Sequence, residues 1–265
     1  MSGVPTSISS DVYFQGSYRT EVRDLLQFFK SSEVERDPEM VESAVKRVIA
    51  YMTLGIDVSP LFPQMIMASN TRNVVQKKMV YLYLSSYAES NPDLSLLSIN
   101  TLRKDCDDHT PMIRGLALRT LSSLRLPHLV EYITPPILKG LQDYAPYVRK
   151  TAAMACSKLH NLVPQIVGPE IVNHLYDMVL DKDAAVVTNA IVSLNEILHE
   201  SGGMVVSEDI AVHLMNILDE GGEWGKLVLL DALLKFKPAE KKIYDVMNMI
   251  DPHLNSGNLA VVMSS

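Results

Sequence analysis

Two stretches of this chain are near copies of each other, and that self-similarity limits the possible fold more than any other feature. Pro111-Met112-Ile113-Arg114-Gly115-Leu116-Ala117 returns 35 residues later as Pro146-Tyr147-Val148-Arg149-Lys150-Thr151-Ala152. In each copy a short acidic turn leads into proline, an apolar residue, arginine and, three positions on, alanine. Proline suits the first turn of a helix, where its missing N–H would be unpaired anyway. The small alanine lets another backbone come close. Each copy therefore reads as a helix start built to stack on its own kind.

Aligning the apolar residue before arginine extends the series to Met40, Val75, Ile113, Val148, Val186, Trp224 and Val261, at intervals of 35 to 38 residues. The arginine survives in only two copies. A period of that size with two amphipathic helices per unit marks stacked helix pairs. The expected fold is all-α: a right-handed α-solenoid of HEAT or armadillo type with about six to seven repeats. Caps and turn residues place the helices at 21–30, 37–53, 59–69, 74–88, 92–105, 111–124, 127–141, 146–159, 169–180, 184–199, 208–219, 224–236 and 240–253. In the fourth helix Val75, Met79, Leu82 and Tyr83 are expected to face inward. At the repeat position, Trp224 is expected to pack rather than to serve as a ligand platform. His160 and His199 fall near helix ends, where they can bond the last carbonyls.

Apolar residues make up 47% of the chain, enough for a continuous core along such a stack. The net charge of −7 argues against nucleic acid as the main ligand. Cys106 and Cys156 have no metal-ligand spacing and fit a reducing compartment. No apolar run approaches the roughly 18–20 residues that span a bilayer. The expectation is a cytosolic chain whose membrane contact, if any, is peripheral.

No constellation suggests catalysis, and no catalytic residue, cofactor or metal site is expected. The cluster Asp105-Cys106-Asp107-Asp108-His109 could tempt a metal reading, but solvated acids and a capping turn explain it as well. The helix 92–105 is more informative. At 100° per residue Leu94, Leu97, Ser98 and Thr101 share one stripe, while Leu96 and Ile99 point to nearly the opposite side with Arg103. A second apolar stripe is either further core or an exposed spot for a partner. Basic residues cluster early at Arg19, Arg23, Lys46, Arg47, Arg72, Lys77 and Lys78. They are either solvated helix faces or, if they share a surface, a contact for anionic lipid worth about 1 kcal/mol per cation.

Several stretches carry a more specific resemblance: Val45-Lys46-Arg47-Val48-Ile49-Ala50-Tyr51-Met52-Thr53, Lys77-Lys78-Met79-Val80-Tyr81-Leu82-Tyr83-Leu84 and Asn91-Pro92-Asp93-Leu94. Asn100-Thr101-Leu102-Arg103-Lys104-Asp105-Cys106, the Pro111 word through Arg119, Tyr147-Val148-Arg149-Lys150 and Glu223-Trp224-Gly225 continue it. Together they resemble, over residues 21–265, the N-terminal trunk of β-type large subunits of the heterotetrameric adaptor protein complexes of vesicle coats. Ile113–Arg119 and Gly202-Gly203-Met204-Val205-Val206 are most similar to adaptor complex four. Tyr147 to Ala153, and a Tyr13-Phe14 pair ahead of the first helix, read more like complexes one and two.

The resemblance implies a scaffold in vesicle-mediated protein transport and cargo sorting, not an enzyme. It implies as partners the medium, small and second large subunits, together with a GTP-bound Arf-type GTPase. In complex one the helix matching 92–105 meets that GTPase through two apolar residues, which fall here on Leu96 and Ile99. The implied location is peripheral, on trans-Golgi, endosomal or coated-vesicle membranes. A nuclear-transport or phosphatase-type HEAT scaffold would share the period and stays open as a rival.

At the termini, residues 1–19 are expected to be mobile, and Asp11 to Ser17 resembles a protease site of the kind appended to recombinant proteins as much as a native segment. Residues 20–265 form the expected trunk. Asn258 to Ser265 begin a further repeat without a polar capping helix, so the expectation is the N-terminal part of a longer protein.

Overall fold

In the computed structural model, residues 21–31, 37–238 and 243–265 are described. Residues 1–19 with Tyr13-Phe14 and Arg19, and the first residues of the helix expected at 240–253, lie outside that set. Among the described residues all regular structure is helical. The helices are α1 (21–30), then α2 (Pro38–Thr53), α3 (Phe62–Ala68), α4 (Val74–Tyr87) and α5 (Pro92–Asp105). They continue as α6 (Pro111–Leu121), α7 (Val130–Leu141), α8 (Pro146–Leu162), α9 (Pro169–Met178) and α10 (Ala184–Ile197). The last are α11 (Glu208–Ile217), α12 (Glu223–Leu233), α13 (Ile243–Ile250) and α14 (Leu259–Ser264).

Short polar side chains fix where these helices begin. Asp37 accepts from the Glu39 amide, Asn73 from Val75 and Gln76, Asp183 from Ala185 and Val186, and Asn258 from Ala260. Each satisfies donors that a helix start leaves unpaired. Gly55, at φ 77°, turns the chain out of α2 in the left-handed region that side chains avoid.

The chain forms two compact units, one ending at Thr101 and the other beginning at Leu102, so the boundary falls inside α5. In the first unit α4 packs on both α2 and α3. In the second, α6, α8, α10, α12 and α14 form a row in which each packs on the next. Alongside that row, α7 packs on α6 and α8, α9 on α10, and α11 on α12. One helix pair therefore advances the chain by one period, giving an all-α solenoid of helix pairs.

The repeat register follows the helix caps rather than the apolar residues. The third residue after the N-cap is buried in five of the predicted repeats and in α14: Gln76, Ile113, Val148, Val186, Gly225 and Val261. Val75 and Trp224, taken as repeat positions from the sequence, sit one residue early and are 57% and 58% exposed. Met40 is in register but also exposed. Trp224 therefore does not pack in the core. Gly225 takes the inward place because α12 approaches α10 closely there, and an added Cβ would lie 3.3 Å from Thr188 Oγ1. Gln76 is admitted to the core by donating from Nε2 to the Ala68 carbonyl at 2.9 Å.

The same shift corrects α4. Leu82 joins Val75 outside and Met79 is half-buried, while Val80, Tyr83 and Leu84 form the inner face. Tyr83, inward as expected, donates its hydroxyl to the Val58 carbonyl at 2.6 Å. Burial, and then the charges of Tyr87 and Asp57, push its pKa far above the ordinary tyrosine value.

Candidate functional site

On α5 the buried stripe is Ser95, Ser98, Ile99 and Leu102, the i, i+3, i+4, i+7 pattern of one helix face. The face expected from the sequence, Leu94, Leu97, Ser98 and Thr101, is rotated from it. Leu97 is 57% exposed, and Leu94 and Thr101 are half-buried. The two serines are tolerated inside because their hydroxyls bond back to the chain. Ser95 Oγ donates to the Asn91 and Ala88 carbonyls at 2.8 and 3.1 Å, and Ser98 Oγ to the Ser95 carbonyl at 2.7 Å.

The predicted pair Leu96 and Ile99 is thereby split. Leu96 is 47% exposed and Ile99 only 1%. They do not form one exposed stripe. Leu96 and Leu97 together present the apolar surface of this helix, and Ile99 seats the helix from below. Sequence reasoning placed Leu97 on the inward stripe, opposite Leu96, and so missed it as an exposed residue.

The acidic cluster after α5 has structural duties. Asp107 pairs with Lys139 at 2.6 Å, and Asp108 Oδ1 accepts from the Thr110 amide at 2.7 Å, shaping the turn into α6. The backbone carbonyls of Asp108 and His109 accept from Arg114 Nη1 at 2.9 and 3.1 Å. Cys106 is buried, and burial, then the Asp107 and Asp105 charges, push its thiol up to about 12. Cys156, also buried, is pushed up to about 12 by burial. A cleft of about 350 Å³ opens here, with Cys106, His109, Arg114, Pro136, Lys139 and Tyr144 on its walls. Among the described residues no group of three His, Cys, Asp or Glu side chains converges as a metal site would.

The two arginines of the repeated word make one geometry twice. Arg114 donates from Nε and Nη2 to the two carboxylate oxygens of Asp143, both at 2.7 Å. One pair later Arg149 donates to Asp181 at 2.7 and 2.9 Å. In both, Nη1 turns back to two carbonyls of the preceding turn, and the carboxylate also accepts a backbone amide two residues on. Such forks are the strongest ordinary polar contacts. Burial pushes the Asp143 and Asp181 carboxyls up, but the arginines and amides outweigh it and hold both below the usual carboxylate range. In the next copies the arginine position is taken by buried Val187 and by Lys226, which reaches Asp219 at 3.5 Å.

The described early basic residues differ in their surroundings. Lys46 pairs with Glu42 at 2.7 Å, Lys77 is buried against the Tyr81 ring, and Arg23, Arg47, Arg72 and Lys78 are exposed. Of the histidines expected at helix ends, His160 keeps its Nδ1 buried without a partner. No helix among the described residues is long and apolar enough to cross a membrane.

Comparison with known proteins gives this arrangement its context. The sequence pattern of the family described as "Adaptin N terminal region" matches residues 17–265. The AP-4 complex subunit beta-1 of Mus musculus is 43% identical over 246 residues, which is 92% of this chain and 33% of that protein. The AP-1 complex subunit beta-1 of the same organism is 38% identical over 258 residues, 96% of this chain and 27% of that protein. The chain thus spans about a third of the length of the relatives it matches. A homology model of the full-length AP-3 complex shares the fold, with a TM-score of 0.59 and 23% identity over 96% of this chain and 38% of the other. The chain belongs to the adaptin N-terminal region family.

Proposed function

We propose that this chain is the N-terminal scaffold of a β-type large subunit in a vesicle-coat adaptor complex, acting in cargo sorting at trans-Golgi or endosomal membranes. The observation that carries the reading is 43% identity to an AP-4 β subunit across 92% of the chain, against 38% to an AP-1 β subunit. Medium, small and second large subunits are its partners, and complexes one and two are the alternative homes. The Arg–Asp forks suit a scaffold, because they fix one helix pair against the next through rigid, bidentate contacts.

In this reading a GTP-loaded Arf-type GTPase recruits the coat through α5. Leu96 supplies the exposed apolar contact, and Ile99 acts by seating the helix that presents it. Ordered switch loops exist only in the GTP state, so the contact is conditional.

The scaffold reading is tested by grafting this chain in place of the matching 246-residue segment of the mouse AP-4 β subunit and co-expressing the other three subunits. A hybrid that co-purifies with all three supports it. A folded hybrid recovered alone, while the natural β subunit assembles beside it, overturns it.

A further inference from the structure

Within the first unit, α1, α2, α3 and the loop after α3 line a cleft of about 470 Å³. Sites that take a small ligand typically measure about 300–1,000 Å³. Phe29 of α1, Val41 of α2 and Met67 of α3 give the cleft apolar surface, while Gln64, Asn70 and Arg72 give it polar groups. Gln76, also on the wall, is already used, since its Nε2 donates to the Ala68 carbonyl at 2.9 Å.

Three groups on this wall lack the partners their chemistry calls for. Gln64 Oε1 is shut off from solvent and accepts no hydrogen bond. A buried acceptor left so is uncommon, because its bonds to water were given up for nothing in return. Among the described residues neither the Asn70 side-chain amide nor the Arg72 guanidinium has a hydrogen-bond or ion-pair partner, and both residues are exposed. Two acids close in sequence are engaged elsewhere: Glu42 holds Lys46 and the Asn73 amide, both at 2.7 Å, and Asp37 caps α2. No carboxylate lines the cleft among the described residues. The Cys106–Tyr144 cleft is the contrast. There Arg114 is forked to Asp143 and Lys139 pairs with Asp107, so its cations are satisfied from within.

We propose that this cleft binds a short extended segment of a partner protein in which an apolar side chain stands beside a carboxylate. Phe29, Val41 and Met67 receive the apolar side chain, and Arg72 receives the carboxylate. Gln64 and Asn70 take the peptide groups between them, since a side-chain amide pairs with N–H and C=O alike. Met67 lies one turn beyond Gln64 on α3 and is 70% exposed, so an unbranched, adaptable side chain flanks the unpaired oxygen. Charge sets the class of ligand. One cation without an acid suits a single carboxylate, whereas a phosphate of about −1.5 to −2 calls for a second cation. A fatty acid would match Arg72 and the apolar wall but leave both amides unused. The site includes no residue of α5 and lies wholly within the first unit, so it stands or falls apart from the scaffold and GTPase readings.

The test is a methionine-methyl NMR titration of the 265-residue chain, with the Met67 signal assigned through Met67→Leu. The probes are acetyl-Leu-Glu-Leu-amide, its Gln counterpart, and octanoate. Wild type should show a saturable Met67 shift with the Glu peptide. Binding should weaken about tenfold with the Gln peptide, and as much in Arg72→Glu, as loss of one charge-assisted hydrogen bond implies. Gln64→Leu separates recognition from structure. Its affinity should fall about fivefold while its urea midpoint holds or rises, because a buried unpaired oxygen is removed. The Met263 methyl, exposed on α14, should not move. An absent or non-saturating Met67 shift overturns the proposal, as does a Gln peptide or octanoate bound as tightly as the Glu peptide. Equal shifts at Met67 and Met263 overturn it too, and so does wild-type affinity in Arg72→Glu.

Discussion

Arg114 and Asp143 lie 29 residues apart in sequence and close a two-bond fork of 2.7 Å each, with side chains only 8% and 14% exposed. Arg149 repeats the contact on Asp181, so the turn between α7 and α8 receives an arginine from α6, and Arg149 in the first turn of α8 reaches the turn between α9 and α10. This chain of forks links α6 to the α9–α10 turn with little play.

Breaking one fork should cost more than removing it. Asp143→Ala leaves the Arg114 guanidinium buried without its partner and should destabilise by about 2–4 kcal/mol. Arg114→Ala/Asp143→Ala should cost clearly less than the sum of the two single variants, with a coupling of at least about 1 kcal/mol. Urea unfolding of the four proteins measures both, and additive single effects would show that the fork is not energetically real.

Acid should act through the same residues. Folded-state pKa values of Asp143 and Asp181 are held below the ordinary value, so both stabilise the fold fully above the unfolded aspartate pKa of about 3.9. That contribution is lost as pH falls through the folded values. The urea midpoint should therefore drop steeply below about pH 4 in wild type and more gently in Asp143→Asn/Asp181→Asn. Parallel acid limbs would contradict this.

Gly140 sits where α7 meets α6 and α8. A Cβ there would lie 2.7 Å from Leu118 Cδ1 and 3.1 Å from Ala152 Cβ, both buried. Helix propensity alone favours alanine over glycine by about 1 kcal/mol. Overpacking should win, and Gly140→Ala is expected to lose about 1–3 kcal/mol in thermal or urea unfolding. Gly257→Ala, with open space around it, should stay within about 0.5 kcal/mol of wild type.

Much of the fold was legible in sequence because the boundaries are written in capping chemistry. Asp37, Asn73, Pro92, Pro111 and Pro146 each stand at a helix start in the structure, as expected. The register was harder. Val75 and Trp224 were chosen for being apolar, whereas burial follows distance from the cap, and at those steps the inward residue is glutamine or glycine. Gln76 carries its own hydrogen bond into the core, and Gly225 is inward because two helices touch there. Hydropathy sees neither. The same blindness rotated α5: Ser98 was expected inside, but Ser95 is inside too because its hydroxyl bonds to carbonyls, with Ile99 in and Leu97 out.

The division of labour on α5 is the central claim, and capture by an Arf-type GTPase tests it directly. Wild type, Leu96→Asp and Ile99→Ala would be assayed on GTP- and GDP-loaded GTPase, with unfolding measured in parallel. The account predicts GTP-dependent capture by wild type that Leu96→Asp abolishes at a stability cost under about 1 kcal/mol. Ile99→Ala should lose about 2–4 kcal/mol of stability, as a buried truncation does, while retaining capture in whatever fraction stays folded. GTP-dependent capture that survives Leu96→Asp, or no nucleotide preference in wild type, would contradict it.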